Sequence, residues 1–147
     1  MELKEYQGAI EYLNISIKLN PKSSHAFNLR GTSARELGMV SQARSDFLNA
    51  INLEPSNPDF FYSLAGIELL EKKYKESIAH LKTAIHLRKD FKEAYLMLCR
   101  CLINEGDVNL ARRITKFASG AVIISPGGNR KLERKNLDEA YRALFEN

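Results

Sequence analysis

Tryptophan is absent from this chain of 147 residues, and cysteine, histidine and proline are scarce, at two, three and four residues. No stretch approaches the ~18 apolar residues that a membrane-spanning helix needs. The opening MELKEYQGAIEY is charged too early to hold the apolar centre of a secretory leader. Cys99 and Cys101 stand two positions apart. On a helix their side chains diverge by about 200°, so they cannot bridge, and the spacing is neither a C-x-x-C redox centre nor half of a zinc site. They read as small buried residues in a reducing compartment, and a cytoplasmic protein, or a piece of one, is expected.

Chemistry-bearing constellations are missing too. His80 and His86 lie six residues apart, whereas a helical metal site wants histidines at i, i+3 or i+4, and His25 stands alone. No metal or cofactor is expected. The glycines of SPGGNRK lack both the preceding strand and the following Ser or Thr of a phosphate-binding loop, so they read as a plain turn. With no nucleophile–base pair in view, the chain is not expected to be an enzyme.

What is present is a globular balance of 44% hydrophobic and 27% charged residues, which excludes a disordered chain. The net charge of +4 is unevenly placed. Residues 1–111 carry 14 basic and 14 acidic side chains. Residues 112–135 carry Arg112, Arg113, Lys116, Arg130, Lys131, Arg134 and Lys135 against Glu133 alone, and the last twelve return −2. Clustered cations attract polyanions, so this segment is a candidate for RNA or an acidic partner. Phe117 is its one aromatic, too few for base stacking, and a solvated face is the plainer expectation.

Apolar spacing predicts helices throughout and no strand. The first spans residues 1–20 with Ala9, Leu13, Ser16 and Ile17 on one side, and Asn20-Pro21 ends it. Helices follow at about 24–37, with Ser23 or Ser24 as N-cap and Gly38 as stop, and at 41–53 before Glu54-Pro55. Further helices are expected at 58–72, 74–87 and 91–105, then from Val108, with Gly106 as stop and Asp107 as N-cap. Turns of two to five residues force antiparallel neighbours.

The strongest signal is a 34-residue period kept in seven columns. Phe27, Phe61 and Tyr95 form an aromatic column, and Gly31, Ala65 and Cys99 a small one. Ala9, Ala43, Ser77 and Ala111 form a second small column, and Ser16, Ala50, Ala84 and Ala118 a third. Leu13, Phe47 and Leu81 are bulky, with Thr115 at the fourth position. Leu19, Leu53 and Leu87 repeat, as do Pro21 and Pro55, with Lys89 in the third place. Helices crossing steeply need a small residue where their axes meet, and bulky ones beside it. A hairpin that cannot bury both faces alone must stack on its copy.

These columns resemble the tetratricopeptide-repeat family. Residues 24–57 match with Phe27, Gly31, Gly38, Ala43, Phe47, Ala50 and Pro55, but place Arg30 where leucine is usual and Ala34 where tyrosine is usual. Residues 58–91 match with Phe61, Leu64, Ala65, Tyr74, Leu81 and Ala84, with Glu68 at the tyrosine position. Residues 92–120 match with Tyr95, Leu98, Cys99, Gly106, Ala111 and Ala118, and then fade. The resemblance implies an all-α, right-handed superhelix of about three hairpins with flanking helices. Residues 1–21 read as the second helix of a repeat whose first helix lies upstream. Residues 121–130 read as a loop, and 131–147 as a capping helix with Leu132, Leu137, Ala140, Tyr141 and Leu144 on its apolar side.

The resemblance also implies a protein-interaction scaffold that holds a peptide or partner helix along the first helices of the pairs. The family's ligand-facing positions fall on His25, Asn28, Thr32, Arg35 and Glu36, on Asp59, Tyr62, Gly66, Leu69 and Leu70, and on Glu93, Leu96, Arg100, Ile103 and Asn104. The expected groove is Asn28, Thr32, Arg35, Tyr62, Leu69, Leu70, Leu96, Arg100 and Ile103, polar in its first copy and more apolar in the next two. The clamp that holds heat-shock chaperone tails in this family would fall on Asn28, Thr32, Ser63, Glu93 and Met97. None carries the required residue, and Glu93 repels a carboxylate, so such a tail is not the expected ligand. A further expectation is homo-oligomerisation or docking through the unpaired N-terminal helix.

Overall fold

A computed structural model describes residues 3–120 and 130–146, without the side chains of 116–120 and 130–133. Most of the expected 121–130 loop, and the side chains of Lys116, Phe117, Arg130, Lys131 and Leu132, therefore lie outside the described residues. Among these, eight helices and no strand occur: α1 Leu3–Leu19, α2 Ser24–Glu36, α3 Val40–Leu53, α4 Pro58–Leu70, α5 Tyr74–Leu87, α6 Lys92–Glu105, α7 Val108–Gly120 and α8 Arg130–Phe145. The chain is an all-α solenoid.

The helix ends follow local chemistry. Ser23 caps α2, its hydroxyl accepting from the Ala26 amide at 3.2 Å. Ser24 instead lies inside the helix and donates to Glu54 at 2.8 Å. Asn57 caps α4, with Pro58 at the first position, where its missing N–H costs nothing. The Asp107 carboxylate accepts from the Leu110 amide at 3.1 Å. Left-handed residues close the first helix of each pair: Gly38 at φ +73°, Lys72 at +59° and Gly106 at +91°. These three stand 34 residues apart, so the middle hairpin uses a lysine where the others use glycine.

Each first helix packs on its partner through the small columns. A Cβ on Gly31 would meet the Phe47 ring at 2.7 Å. The Ser77 hydroxyl donates to the Ala65 carbonyl at 2.9 Å, and the Cys99 thiol lies 3.8 Å from the Ala111 carbonyl. Phe47, Leu81, Ala43, Ala50 and Ala84 are completely buried, each large side chain contributing about 1.5–3 kcal/mol. The fourth member of the bulky column, Thr115, is exposed. Leu19, Leu53 and Leu87 form an exposed column rather than a core one.

Two of the three departures from the family pattern, Arg30 and Glu68, belong to ion pairs with a buried carboxylate. Arg30, where leucine is usual, forms a two-pronged pair with Asp46, 2.9 and 2.6 Å long. Asp46 is wholly buried, and its hydrogen bonds hold the Arg30 guanidinium pKa above its ordinary value against the cost of burial. Glu68, where tyrosine is usual, is also buried, meeting His80 at 2.8 Å and Arg44 at 3.7 Å. In the third hairpin the positions of Arg30 and Asp46 are taken by Leu98 and Ile114, both fully buried. One contact site is thus ionic in the first hairpin and apolar in the third.

A core cluster that begins at Ala65 carries on into α8. Ala140, Ala143 and Leu144 of α8 are buried with residues of α5, α6 and α7. Outside that core, Lys89 meets Asp138 at 2.6 Å, His86 meets the Tyr141 hydroxyl at 3.1 Å, and Lys82 lies over the Phe145 ring. Helix α8 is therefore clasped to the far end of α5 as well as to α7.

Candidate functional site

The first helices form a shared wall because α2 touches α4, and α4 touches α6, past the intervening second helices. Gly66 lies at the middle of it. A Cβ there would sit 3.6 Å from the Arg35 guanidinium and 3.9 Å from the Met97 methyl, so all three helices converge on this glycine. Met97 and Gly66 lie outside the nine residues expected to line the groove. Their contact could have been found only by knowing which helices adjoin.

Tyr62, one turn before Gly66, is half-buried and packs on Phe91 with ring centroids 5.0 Å apart. Burial, with Glu93 adding, pushes its phenol pKa up against the opposing pull of Arg35 and Arg100. Tyr62 therefore stays a neutral hydrogen-bond donor set among charges from the two neighbouring helices. Phe91 is itself covered by the Arg88 guanidinium, 3.7 Å above the ring, and Arg88 pairs with Asp59 at 2.6 Å.

The other expected positions divide. Arg35 is partly buried and pairs with Glu36 at 2.8 Å. The Thr32 hydroxyl is turned inward and donates to the Asn28 carbonyl at 3.0 Å. Asn28 Oδ1 is shielded and accepts no hydrogen bond, alone among the described buried side-chain polar atoms. Leu69 packs against the core. Leu70, Leu96 and Ile103 remain 62%, 43% and 56% exposed, and Arg100 is exposed beside them. The structure thus brings Arg35, Tyr62 and Arg100 together, leaves three large apolar side chains open, and places Leu69 mostly inside.

Among the described residues no three His, Cys, Asp or Glu side chains gather where they could hold a metal ion, and no helix is long and apolar enough to cross a membrane. Cys99 and Cys101 are free and buried. Burial raises both thiol pKa values, against hydrogen bonds to Thr115 and Ser77 that lower them.

Stacked helical hairpins with a continuous wall of first helices define a helical-repeat solenoid. A tetratricopeptide-repeat family profile matches residues 68–116, from the end of α4 into α7. Solved structures share the arrangement. One of MamA covers 97% of this chain and 88% of its own, with a TM-score of 0.71 at 19% identity. YrrB, described as a TPR protein with an unusual peptide-binding site, covers 97% of this chain and 74% of its own, with a TM-score of 0.67 at 22% identity. This chain is a tetratricopeptide-repeat protein.

Its curated relatives are far longer. The human protein O-mannosyl-transferase TMTC3 is 32% identical over 102 residues, which are 67% of this chain and 11% of that protein. Superkiller complex protein 3 of Mus musculus is 24% identical over 106 residues, 72% of this chain and 7% of that protein. The chain therefore spans about a tenth of the length of the curated relatives it matches.

Proposed function

We propose that this chain is a protein-interaction scaffold, without catalysis of its own, that holds a peptide or partner helix along the wall of α2, α4 and α6. The observation that carries this is that Leu70, Leu96 and Ile103 stand open on helices of the same wall that brings Tyr62, Arg35 and Arg100 together. Exposed apolar side chains on one wall with a neutral donor and two cations suit a segment with an apolar anchor and acidic or backbone acceptors. A heat-shock chaperone tail remains a poor candidate, because Glu93 stands where a carboxylate must be attracted.

Leu96→Glu is the cleaner test, since Leu96 is half-open. Partner capture should be lost while the melting temperature moves by no more than about 2 °C, the effect of a surface change. Tyr62→Ala should also abolish capture, but it loses a ring pair worth about 0.5–1.5 kcal/mol. Unchanged capture with Leu96→Glu would refute the groove.

Self-association through α1 is a second reading with its own support. Tyr12, Ile15 and Leu19 are 72%, 61% and 81% exposed. Tyr12 is also the 34-residue counterpart of Asp46 and Ile114, which are completely buried. Sedimentation over a concentration range decides it: a strict monomer throughout would remove it.

A further inference from the structure

We propose that the cleft between α7 and α8 is a second docking surface, built for an acidic peptide segment rich in Asp and Glu. It is separate from the wall of α2, α4 and α6 and does not depend on what binds there. Its main cleft, about 460 Å³, is lined by Arg112 and Arg113 from α7 and by Glu139 and Arg142 from α8. A second of about 350 Å³ adjoins it, sharing Glu139 and Arg142 and adding Arg134, Lys135 and Asp138. The two helices run antiparallel, so Arg112 and Arg113 near the start of α7 face the later turns of α8.

The charges in the two clefts do not cancel. Asp138 is taken by Lys89 at 2.6 Å, and Glu139 lies 3.9 Å from Lys135. Arg142 lies 3.6 Å from Glu146. Arg112, Arg113 and Arg134 make no ion pair within 4 Å among the described residues. Among the described residues, three guanidiniums, each able to grip a carboxylate in a planar fork, are thus left without an ion-pair partner.

The clefts suit a peptide better than a nucleic acid. Among the described residues no aromatic side chain lines either one, so none of them offers base stacking. Glu139 stands in both clefts, where it would oppose a continuous run of phosphates. A peptide can set a backbone N–H or a basic side chain opposite it.

The test is fluorescence anisotropy of the full chain with a labelled ten-residue glutamate peptide at about 50 mM salt, where screening is weak. Saturable binding is expected. Two exposed arginines contribute about two- to fivefold each, so Arg112→Gln with Arg113→Gln should weaken it about tenfold. Lys18→Gln with Lys22→Gln, the same charge loss on α1 and the turn after it, should leave it within about twofold. Glu139→Gln should strengthen it about two- to threefold, a gain that a misfolded variant cannot mimic. Equal loss in the α1 pair would show general charge attraction and overturn the proposal. So would the absence of saturation, a loss on Glu139→Gln, or tighter binding of a labelled decauridine with the same dependence on Arg112 and Arg113.

Discussion

Replacing Arg30 alone should damage this protein more than replacing Arg30 and Asp46 together. Asp46 is 0% exposed, and the two short bonds from Arg30 are its ionic contact. Arg30→Leu strands a buried carboxylate, and breaking a buried pair in this way costs about 3–5 kcal/mol. Asp46→Ile strands the guanidinium instead, but Arg30 is 16% exposed and already bonds Asn14 at the surface. That cation can turn toward water, so the loss should fall near about 2–3 kcal/mol. The double variant restores the apolar pair that Leu98 and Ile114 form at the same positions of the third hairpin. It should lie within about 1 kcal/mol of the parent, since well-packed apolar replacements of buried ion pairs are neutral or stabilising. Urea unfolding followed by circular dichroism at 222 nm supplies all four stabilities. For a chain of this size about 4 kcal/mol corresponds to a melting-temperature drop of roughly 8–16 °C. If the double variant loses as much as the sum of the singles, the pair does not act as a unit and the reasoning is wrong.

Glycine positions should respond with opposite signs. Gly31→Ala must push its Cβ into the Phe47 ring at 2.7 and 2.9 Å, so overpacking of about 1–3 kcal/mol should exceed the roughly 1 kcal/mol gained in helix propensity. Gly8→Ala meets nothing within 4 Å and should stabilise by about 0.5–1 kcal/mol; thermal melts of both variants check this. Lys72→Gly should stabilise by about 0.5–1 kcal/mol, because Lys72 adopts the left-handed conformation that Gly38 and Gly106 supply in the neighbouring hairpins. A thiol-reactive dye should label Cys99 and Cys101 far faster in urea than in the native state. Both folded pKa values lie above the unfolded value of about 8.5. The unfolded chain therefore loses those protons first, and the thiols' contribution to stability should fall as pH rises above about 8.5.

The helices were legible because their evidence is local and periodic. Pro58, Gly38, Gly106 and Asp107 act within a turn of where they stand, and the expected 74–87 helix matches α5 residue for residue. Pairing across the hairpins was not legible. Arg30 stood out only as a departure from leucine and Asp46 gave no signal of its own, although Leu64 and Leu98, 34 and 68 positions after Arg30, mark a buried column. Phe60 escaped notice in the same way, its buried column being filled by Ala26 and Ala94. The hold of α8 on α5 rests on Lys89 with Asp138 and His86 with Tyr141, 49 and 55 positions apart, where no period links them. On the wall, exposure of Leu70, Leu96 and Ile103 was foreseen from register. Leu69 is partly buried against the core while Leu70 is open, because adjacent residues on a helix face different neighbours.

The unlike contacts within the hairpins also give each helix an address. Stacked repeats of similar shape can slip by one unit during folding, since every hairpin offers nearly the same groove. Here a slip that set α3 against α4 would place Asp46 opposite Leu64 rather than Arg30, leaving a carboxylate in an apolar seat. The opposite slip would bring His80 to Arg30 and take from Glu68 its nearer partner. Either error costs several kcal/mol, comparable to the stability of the whole domain. The ionic seam between α2 and α3 thus works as a register mark, rejecting neighbours that shape alone would accept.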